Sequence, residues 1–148
     1  MLDRYPNVRV SFQETGCAWI DFAIDVMDFD LNNLRYRMKL GALRAENMPA
    51  VERGLPKMMP LEYMKSGRVF MGFEVNDKLL PYMVEHYGVE CFTYASDIPH
   101  AHRKPFSAQY ILNRPDLPEA VKPRILWEGT ARLYGFEAPV GKGAAAAK

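Results

Sequence analysis

Several kinds of residue are scarce in this chain of 148 residues, and each scarcity excludes a class of protein. The two cysteines, Cys17 and Cys91, are too few for a disulfide framework and lack the spacing of a zinc cluster. Nineteen basic and eighteen acidic residues leave a net charge of +1, which gives no electrostatic argument for binding nucleic acid or an anionic membrane. Apolar runs of membrane-helix length are absent, and the opening MLDRYPNVRV carries charges where a secretory signal would be apolar. We therefore expect a reduced, cytoplasmic protein that binds neither nucleic acid nor membranes.

The rest of the composition is that of an ordinary globular domain, with 49% hydrophobic and 25% charged residues. Short apolar runs alternate with stretches whose apolar residues recur every three or four positions, so the pattern predicts strands alternating with helices. The predicted strands are residues 8–12, 68–74 and 91–95, and the predicted helices are residues 19–37, 77 to 85 or 87, and about 118–134. Asp77 would cap the second helix, and Gly88 would end it in a left-handed conformation. This order implies a parallel sheet with right-handed crossovers.

Two stretches carry less information about the fold. Residues 38–60 contain repeated glycine and proline with mixed charge, which is typical of a long excursion with room for one short helix. The ending GKGAAAAK makes residues 138–148 a low-complexity tail. Residues 1–137 are therefore predicted to form one folded unit.

Acidic residues stand at the end of each predicted strand. Glu14 follows the first strand, Glu74 ends the second and Asp77 follows it, and Asp97 follows the third within FTYASDIPH. Because the carboxyl ends of parallel strands open onto one face, we expect these carboxylates to converge on one pocket. Carboxylates that share a pocket suit either metal ligation or proton transfer.

Four segments, taken in order, resemble the C-terminal part of the metal-dependent amidohydrolases of the aminocarboxymuconate-semialdehyde decarboxylase type. They are YPNVRVSFQETGCAW, RVFMGFE followed by an acid, FTYASDIPH and RILWEGTARLYGF. The resemblance extends from Tyr5 to Phe136. It implies an α/β fold, the (β/α)8 barrel, in which these strands are the sixth, seventh and eighth. By the same resemblance the first five strands are absent, so the chain would hold only the C-terminal βα units of an incomplete barrel.

The resemblance also implies roles for particular residues. Asp97 matches the aspartate of the family's S-D-x-P-[HF] motif, which binds or faces the catalytic metal and handles a proton. His100 matches the last position of that motif, where it would orient the loop or touch substrate. Glu14 stands where many relatives have a histidine ligand, and it would bind the metal directly or through water. The implied cofactor is a divalent metal, zinc or manganese, and the implied substrate is a small aromatic or unsaturated carboxylic acid.

One more site residue is suggested by position alone. Trp19 stands close to the end of the first predicted strand, at the start of the following helix. A large aromatic side chain at that place can pack in the core or line a substrate pocket. Trp19 is therefore a candidate substrate-binding residue.

The chain departs from the family pattern in several places. The family's H-x-H pair on its first strand and a histidine on its fifth have no counterpart here. His100 and His102 have the H-x-H spacing, but they lie in a loop after Asp97 and do not match the first-strand motif. Val26 and Gly129 stand where relatives often have arginine and asparagine. These departures favour a fragment of a longer enzyme that cannot build the full site alone.

Each candidate also has a structural explanation that needs no chemistry. An aspartate between a buried strand and a proline, such as Asp97, often initiates a loop, and a glutamate before Thr-Gly, such as Glu14, is usually solvated. Asp77 suits a helix cap, and His86 suits the C-terminal end of a helix dipole. Cys17 has no neighbouring base in the sequence that would make it a nucleophile.

Three functions from different classes fit these observations. The first is a metal-dependent hydrolase or non-oxidative decarboxylase in which Asp97 serves as metal ligand and acid/base. The second is a catalytically inactive structural or docking subunit, which associates with itself or with a chain that supplies the missing strands, because three strands leave sheet edges unpaired. The third is a small-molecule binding module on the same strand ends. Stoichiometric metal binding distinguishes the first from the second.

Overall fold

A computed structural model describes residues 1–43, 48–49, 54–100 and 106–136 of the chain. The low-complexity tail at 138–148 and the position of His102 fall outside this part, and so does much of the excursion predicted over residues 38–60. Within it, the chain forms a mixed α/β structure around one small sheet. None of the described helices is both long enough and apolar enough to span a membrane.

The sheet has three parallel strands that follow one another in sequence order, as the alternating pattern predicted. Strand β1 is Val10–Phe12, β2 is Val69–Gly72 and β3 is Phe92–Thr93. Val10 pairs with Val69, and Met71 pairs with Phe92, so all three strands end at the same edge. Each strand is shorter than its predicted apolar run, since the flanking residues turn away into loops. The acidic residues therefore lie just beyond the paired part of the sheet.

Six helices are described from end to end. Their bounds are Trp19–Lys39 for α1, Pro60–Met64 for α2, Leu80–Tyr87 for α3, Ser107–Leu112 for α4, Lys122–Ile125 for α5 and Glu128–Tyr134 for α6. A single 3-10 turn, Val89–Cys91, leads into β3.

Two details of the predicted helices are wrong. Helix α3 begins at Leu80 rather than at Asp77, because Pro81 fits the first helical turn, and no side chain caps it. It does end at Gly88 as predicted, although φ 92° and ψ 141° lie outside the left-handed helical region. The single helix predicted over 118–134 is instead two short helices, since Trp127 leaves helical geometry with φ −145°.

The main core lies on one face of the sheet. Val69 and Met71 of β2 pack there with Ile20 and Ile24 of α1, and further buried residues come from α3, among them Leu80 and Met83. Burying each such side chain contributes about 1.5–3 kcal/mol before the cost of ordering the chain. This packing fixes α1 and α3 behind the strands.

Helix α6 packs against β3 and crosses the opposite face of the sheet towards β1. The helix begins beside β3, where the Thr130 hydroxyl donates to the Tyr94 carbonyl oxygen over 3.4 Å. It ends near β1, where Arg9 donates to the Leu133 carbonyl oxygen over 3.3 Å. Phe70 of β2 is fully buried although it does not belong to the main core cluster, as expected for a side chain between the sheet and α6. Helices therefore lie on both faces of the sheet.

Candidate functional site

A cavity of about 290 Å³ opens at the carboxyl edge of the sheet. Residues that follow all three strands line it, and α6 forms one wall. Its polar lining comprises Gln13, Glu14, Glu74, Thr93, Asp97 and Thr130. The structure thus brings Glu14, Glu74 and Asp97 to one cavity, whereas Asp77, which was expected there as well, does not line it.

The floor of this cavity is built around Gln13. Its side-chain amide donates to the hydroxyl of Thr93 over 2.8 Å and also to the hydroxyl of Ser11. Gln13 follows β1 and Thr93 lies in β3, so the side chain crosses the middle strand at Gly72. A Cβ atom at Gly72 would lie 2.8 Å from Oε1 of Gln13, which is too close for an ordinary contact. Gly72 therefore leaves the space through which Gln13 links the outer strands.

Two of the lining carboxylates stand on unusual backbone. Glu14 has φ 58° and Asp97 has φ 54°, in the left-handed region that residues other than glycine rarely adopt. Aspartate tolerates this conformation better than glutamate does, and such a residue costs on the order of 1–3 kcal/mol in folding free energy. Such a conformation persists only where the surrounding structure holds the backbone in it. Non-glycine residues in this conformation are more frequent at functional sites than elsewhere. Phe106 shares this conformation with φ 69° and does not line the cavity, so the backbone alone assigns Glu14 and Asp97 no function.

Asp97 is held by a specific partner. Nδ1 of His100 lies 2.8 Å from Oδ2 of Asp97, and the backbone N–H of His100 donates to the Asp97 carbonyl oxygen over 3.0 Å. The carboxylate side chain is 20% exposed, whereas the imidazole is 60% exposed. Asp97 lines the cavity and His100 does not, so the imidazole reaches the carboxylate from outside. A carboxylate and an imidazole at this distance can share or pass on a proton.

Asp77 connects two of the loops around the cavity. Its Oδ2 accepts hydrogen bonds from the backbone N–H groups of Cys17 and Glu74, each over 3.0 Å. Gly16 passes close by, and a Cβ atom there would lie 3.3 Å from Oδ1 of Asp77. Asp77 therefore fixes the loop after β1 to the loop after β2, instead of capping α3.

Cys17 is buried beneath these loops. Burial, followed by the nearby charge of Asp77, raises the pKa of its thiol to about 12. The thiol therefore stays protonated at neutral pH, and a protonated thiol is a poor nucleophile. This agrees with the absence of a neighbouring base in the sequence.

Trp19 and His86 lie away from this cavity. Nε1 of Trp19 donates to the Gly16 carbonyl oxygen over 3.0 Å, and its ring meets the edge of Phe12 at 5.5 Å. Trp19 is not among the described residues that line the cavity, so the structure gives its predicted substrate contact no support. His86 stacks on Tyr82 at 5.7 Å and meets the edge of Tyr87, which is a packing role.

The donor chemistry of the cavity suits a hard cation only in part. Carboxylate oxygens are ligands for divalent metals, and no lysine or arginine stands among the described lining residues. However, the part of the chain that the structure describes contains no group of three or more His, Cys, Asp or Glu side chains placed to hold a metal ion. Glu14 and Asp97 alone therefore do not fit a complete metal site.

The sequence pattern does not single out Gln13 and Thr93, which form the floor of the cavity. One signal was present: both are polar residues at the ends of strands whose other residues are mostly apolar. Their connection needs the strand register and the small residue between them, which become visible only in three dimensions. Nothing in the sequence indicated that α6 would form a wall of the cavity.

Comparison with known proteins gives no family assignment: no protein-family model matches the chain, and no curated protein matches it.

Proposed function

We propose that this chain supplies the acid/base side of an enzyme site for small carboxylic acids, of the type found in metal-dependent amidohydrolases and related decarboxylases. One observation carries the proposal: Asp97, on strained backbone and paired with His100, lines a cavity where three strands end. The cavity is at the small end of ligand pockets, which favours a small substrate, and the resemblance implies that this substrate is aromatic or unsaturated.

The proposed chemistry uses Asp97 as proton donor or acceptor. In a decarboxylation, the bond between carbon and the carboxylate breaks, its electron pair stays on the carbon, and protonated Asp97 delivers a proton there. In a hydrolysis, ionised Asp97 accepts the proton of the attacking water. His100 holds the Asp97 carboxylate in place and exchanges a proton with it on the outer side.

A divalent metal, zinc or manganese, belongs to this proposal as a cofactor. Glu14 and Asp97 would supply two of its ligands, and when bound it would polarise a carboxylate or a water molecule. Because the described residues do not complete a ligand set, the other ligands would come from another part of the polypeptide or from a second chain. The cavity carries Glu14, Glu74 and Asp97, so an anionic substrate needs a cation beside it.

We further propose that the three strands are the last three of a (β/α)8 barrel. Their parallel pairing in sequence order, and the site at their carboxyl ends, support this. In a closed barrel the face that carries Gln13 and Thr93 would look inward. Completing the barrel would therefore require α6 to leave that face.

A second function, that of a non-catalytic docking subunit, is favoured by a different observation. Strand β1 pairs only with β2 in the described sheet, so its other edge has no strand beside it. A chain carrying further strands could add to this edge. A cytoplasmic location fits either function, because Cys17 and Cys91 are both free thiols.

Paramagnetic mapping with Mn²⁺ tests the proposed site. Adding the ion to 15N-labelled chain should broaden the amide signals of Gln13, Glu14 and Asp97 first, and D97N should abolish that pattern. The matched control is E85Q, which neutralises an exposed carboxylate on α3 and should leave it unchanged. Broadening centred on the acidic residues of α1 instead would overturn the proposal.

A further inference from the structure

Helix α1 has two apolar faces, of which the core uses one. Ile20, Ile24 and Leu31 are buried on the inner face. The opposite face, here called the outer stripe, repeats at alternating spacings of three and four residues along the whole helix and its C-cap. The outer stripe consists of Trp19, Phe22, Val26, Phe29, Asn33, Tyr36 and Leu40, all exposed.

The outer stripe is far more apolar than a solvated helix face usually is. Phe22 is 72% exposed and Phe29 is 67% exposed, and both stand in a continuous row rather than singly. The row continues from Trp19 onto Phe12 at the edge of β1, through their ring contact at 5.5 Å. A spacing of alternating three and four is the pattern by which one helix packs along another.

The charges beside the outer stripe decide which helix fits it. Four charged residues stand directly beside the stripe: the acidic Asp25 and Asp30 towards its N-terminal end and middle, and the basic Arg37 and Lys39 towards its C-terminal end; all four are exposed. In a parallel pair of identical helices, like charges would face each other. In an antiparallel pair, the acidic half of one copy faces the basic half of the other.

We propose that the outer stripe is the interface between two copies of this chain, with α1 packed antiparallel against α1 of the second copy. The arrangement is self-complementary about a two-fold axis, as required of a closed dimer. One register brings Asp25 to Lys39 and Asp30 to Arg37 across the interface. Asn33 is the one polar residue in the stripe, and a polar residue in such a seam fixes the register of packing.

This interface is independent of the cavity and of the proposed enzyme function. None of the stripe residues lines the cavity, and the inner face of α1 holds the helix to the core whether or not a second copy binds. Loss of the dimer would therefore leave the Mn²⁺ mapping unaffected, and the two proposals can fail separately.

Analytical ultracentrifugation of the full chain over a range of concentrations tests the dimer. The chain should dimerise, and F29E should raise the dissociation constant by about thirtyfold or more, as expected for an interface anchor. F106E changes another aromatic residue, 82% exposed and outside the stripe, and should leave the dimer unchanged. A wild-type chain that stays monomeric at every concentration would overturn the proposal. In that case the outer stripe would bind a helix from another polypeptide.

Charge reversal tests the flanks. D25K/D30K makes both flanks basic and R37E/K39E makes both acidic, so each variant alone should be monomeric while an equal mixture should form a heterodimer. Dimers that persist in either variant alone would contradict the electrostatic argument. Because each substitution lies at an exposed position, circular dichroism should show that both variants stay folded.

Zero-length carbodiimide crosslinking tests the orientation. Asp25 and Lys39 of one chain are separated by about 21 Å along the helix, given a rise of about 1.5 Å per residue, so a direct amide between them cannot form within one chain. An Asp25–Lys39 crosslink in the covalent dimer would therefore support antiparallel packing. A covalent dimer that lacks this crosslink would overturn it.

Discussion

The side-chain amide of Gln13 donates to the hydroxyl of Thr93 over 2.8 Å, across the middle strand of the sheet at Gly72. This contact joins the two outer strands at the edge where the acidic residues gather. Thr93 is 4% exposed, so its hydroxyl has little access to water and depends on Gln13 as a partner. The floor of the cavity is therefore a specific hydrogen-bonded structure that substitution can disturb.

Adding a methyl group at Gly72 should displace Gln13. The new Cβ would lie 2.8 Å from Oε1 of Gln13, and overpacking of this kind costs about 1–3 kcal/mol. We expect G72A to lower the free energy of unfolding in urea by that amount. In the double variant G72A/Q13A the clash with the Gln13 side chain is gone and only the 3.3 Å approach to the Cα atom of residue 13 remains, so the two effects should not add. Strictly additive losses would show that the two residues do not interact.

Gly129 allows α6 to approach the backbone of β3. A Cβ atom there would lie 1.8 Å from the carbonyl oxygen of Phe92, so G129A must push the helix away from the strand. We expect a loss of about 3 kcal/mol or more in the free energy of unfolding, measured with urea. G54A is the control, because a Cβ at Gly54 would meet nothing within 4 Å. Equal stability of the two variants would contradict the position of α6.

Both thiols should be unreactive in the folded chain. Cys17 and Cys91 are buried, and burial raises their pKa values to about 12 and about 11. At pH 8 the native chain should release almost no thiolate from Ellman's reagent, whereas the chain in guanidinium chloride should react at both positions. Rapid reaction of one thiol under native conditions would show that its surroundings are open.

Acid should weaken the fold partly through Asp116. The hydrogen bond from Arg114 lowers the pKa of Asp116 below its ordinary value of 3.8. A carboxyl whose folded pKa is depressed stabilises the fold above its ordinary pKa and loses that contribution as pH falls through the folded pKa. The contribution is less than about 1 kcal/mol, because the Asp116 side chain is 46% exposed.

Unfolding in urea at pH values from 6 down to below the ordinary pKa of 3.8 measures this effect. The loss of stability on acidification should be smaller in D116N than in the wild type, since the variant has no carboxyl to protonate. An identical loss in both proteins would assign the acid sensitivity to other groups.

The alternation of apolar residues was enough to predict the strands, the helix α1 and the parallel order of the sheet. These features depend on local periodicity, which a single sequence displays directly. The end of α3 at Gly88 was also predictable from the local sequence. Glycine reaches the positive φ of 92° without a steric penalty, and it therefore commonly follows the last residue of a helix. Its start was not, since Pro81 and the hydrogen bonds of Asp77 outweigh the capping preference of aspartate.

The candidate site was predictable in its acidic residues and not in its framework. Glu14 and Asp97 stand at strand ends, where sequence position gives their location in space. Gln13 becomes significant only through its contact with Thr93 over Gly72, which joins residues far apart in the chain. Helix α6 can cross the sheet because the helical conformation is interrupted at Trp127. No local sequence pattern predicts that interruption.

Acid/base chemistry by Asp97 in the cavity at the strand ends underlies the proposed function. Its most direct test is turnover of a panel of small aromatic and unsaturated carboxylic acids by the chain supplied with zinc or manganese, followed as carbon dioxide released or as product. Because the described residues hold only part of a metal ligand set, turnover of at least one compound should be slow but measurable, it should fall to background in D97N, and E85Q should match the wild type. Turnover that survives in D97N, or no turnover of any compound by the wild-type chain, would contradict the claim.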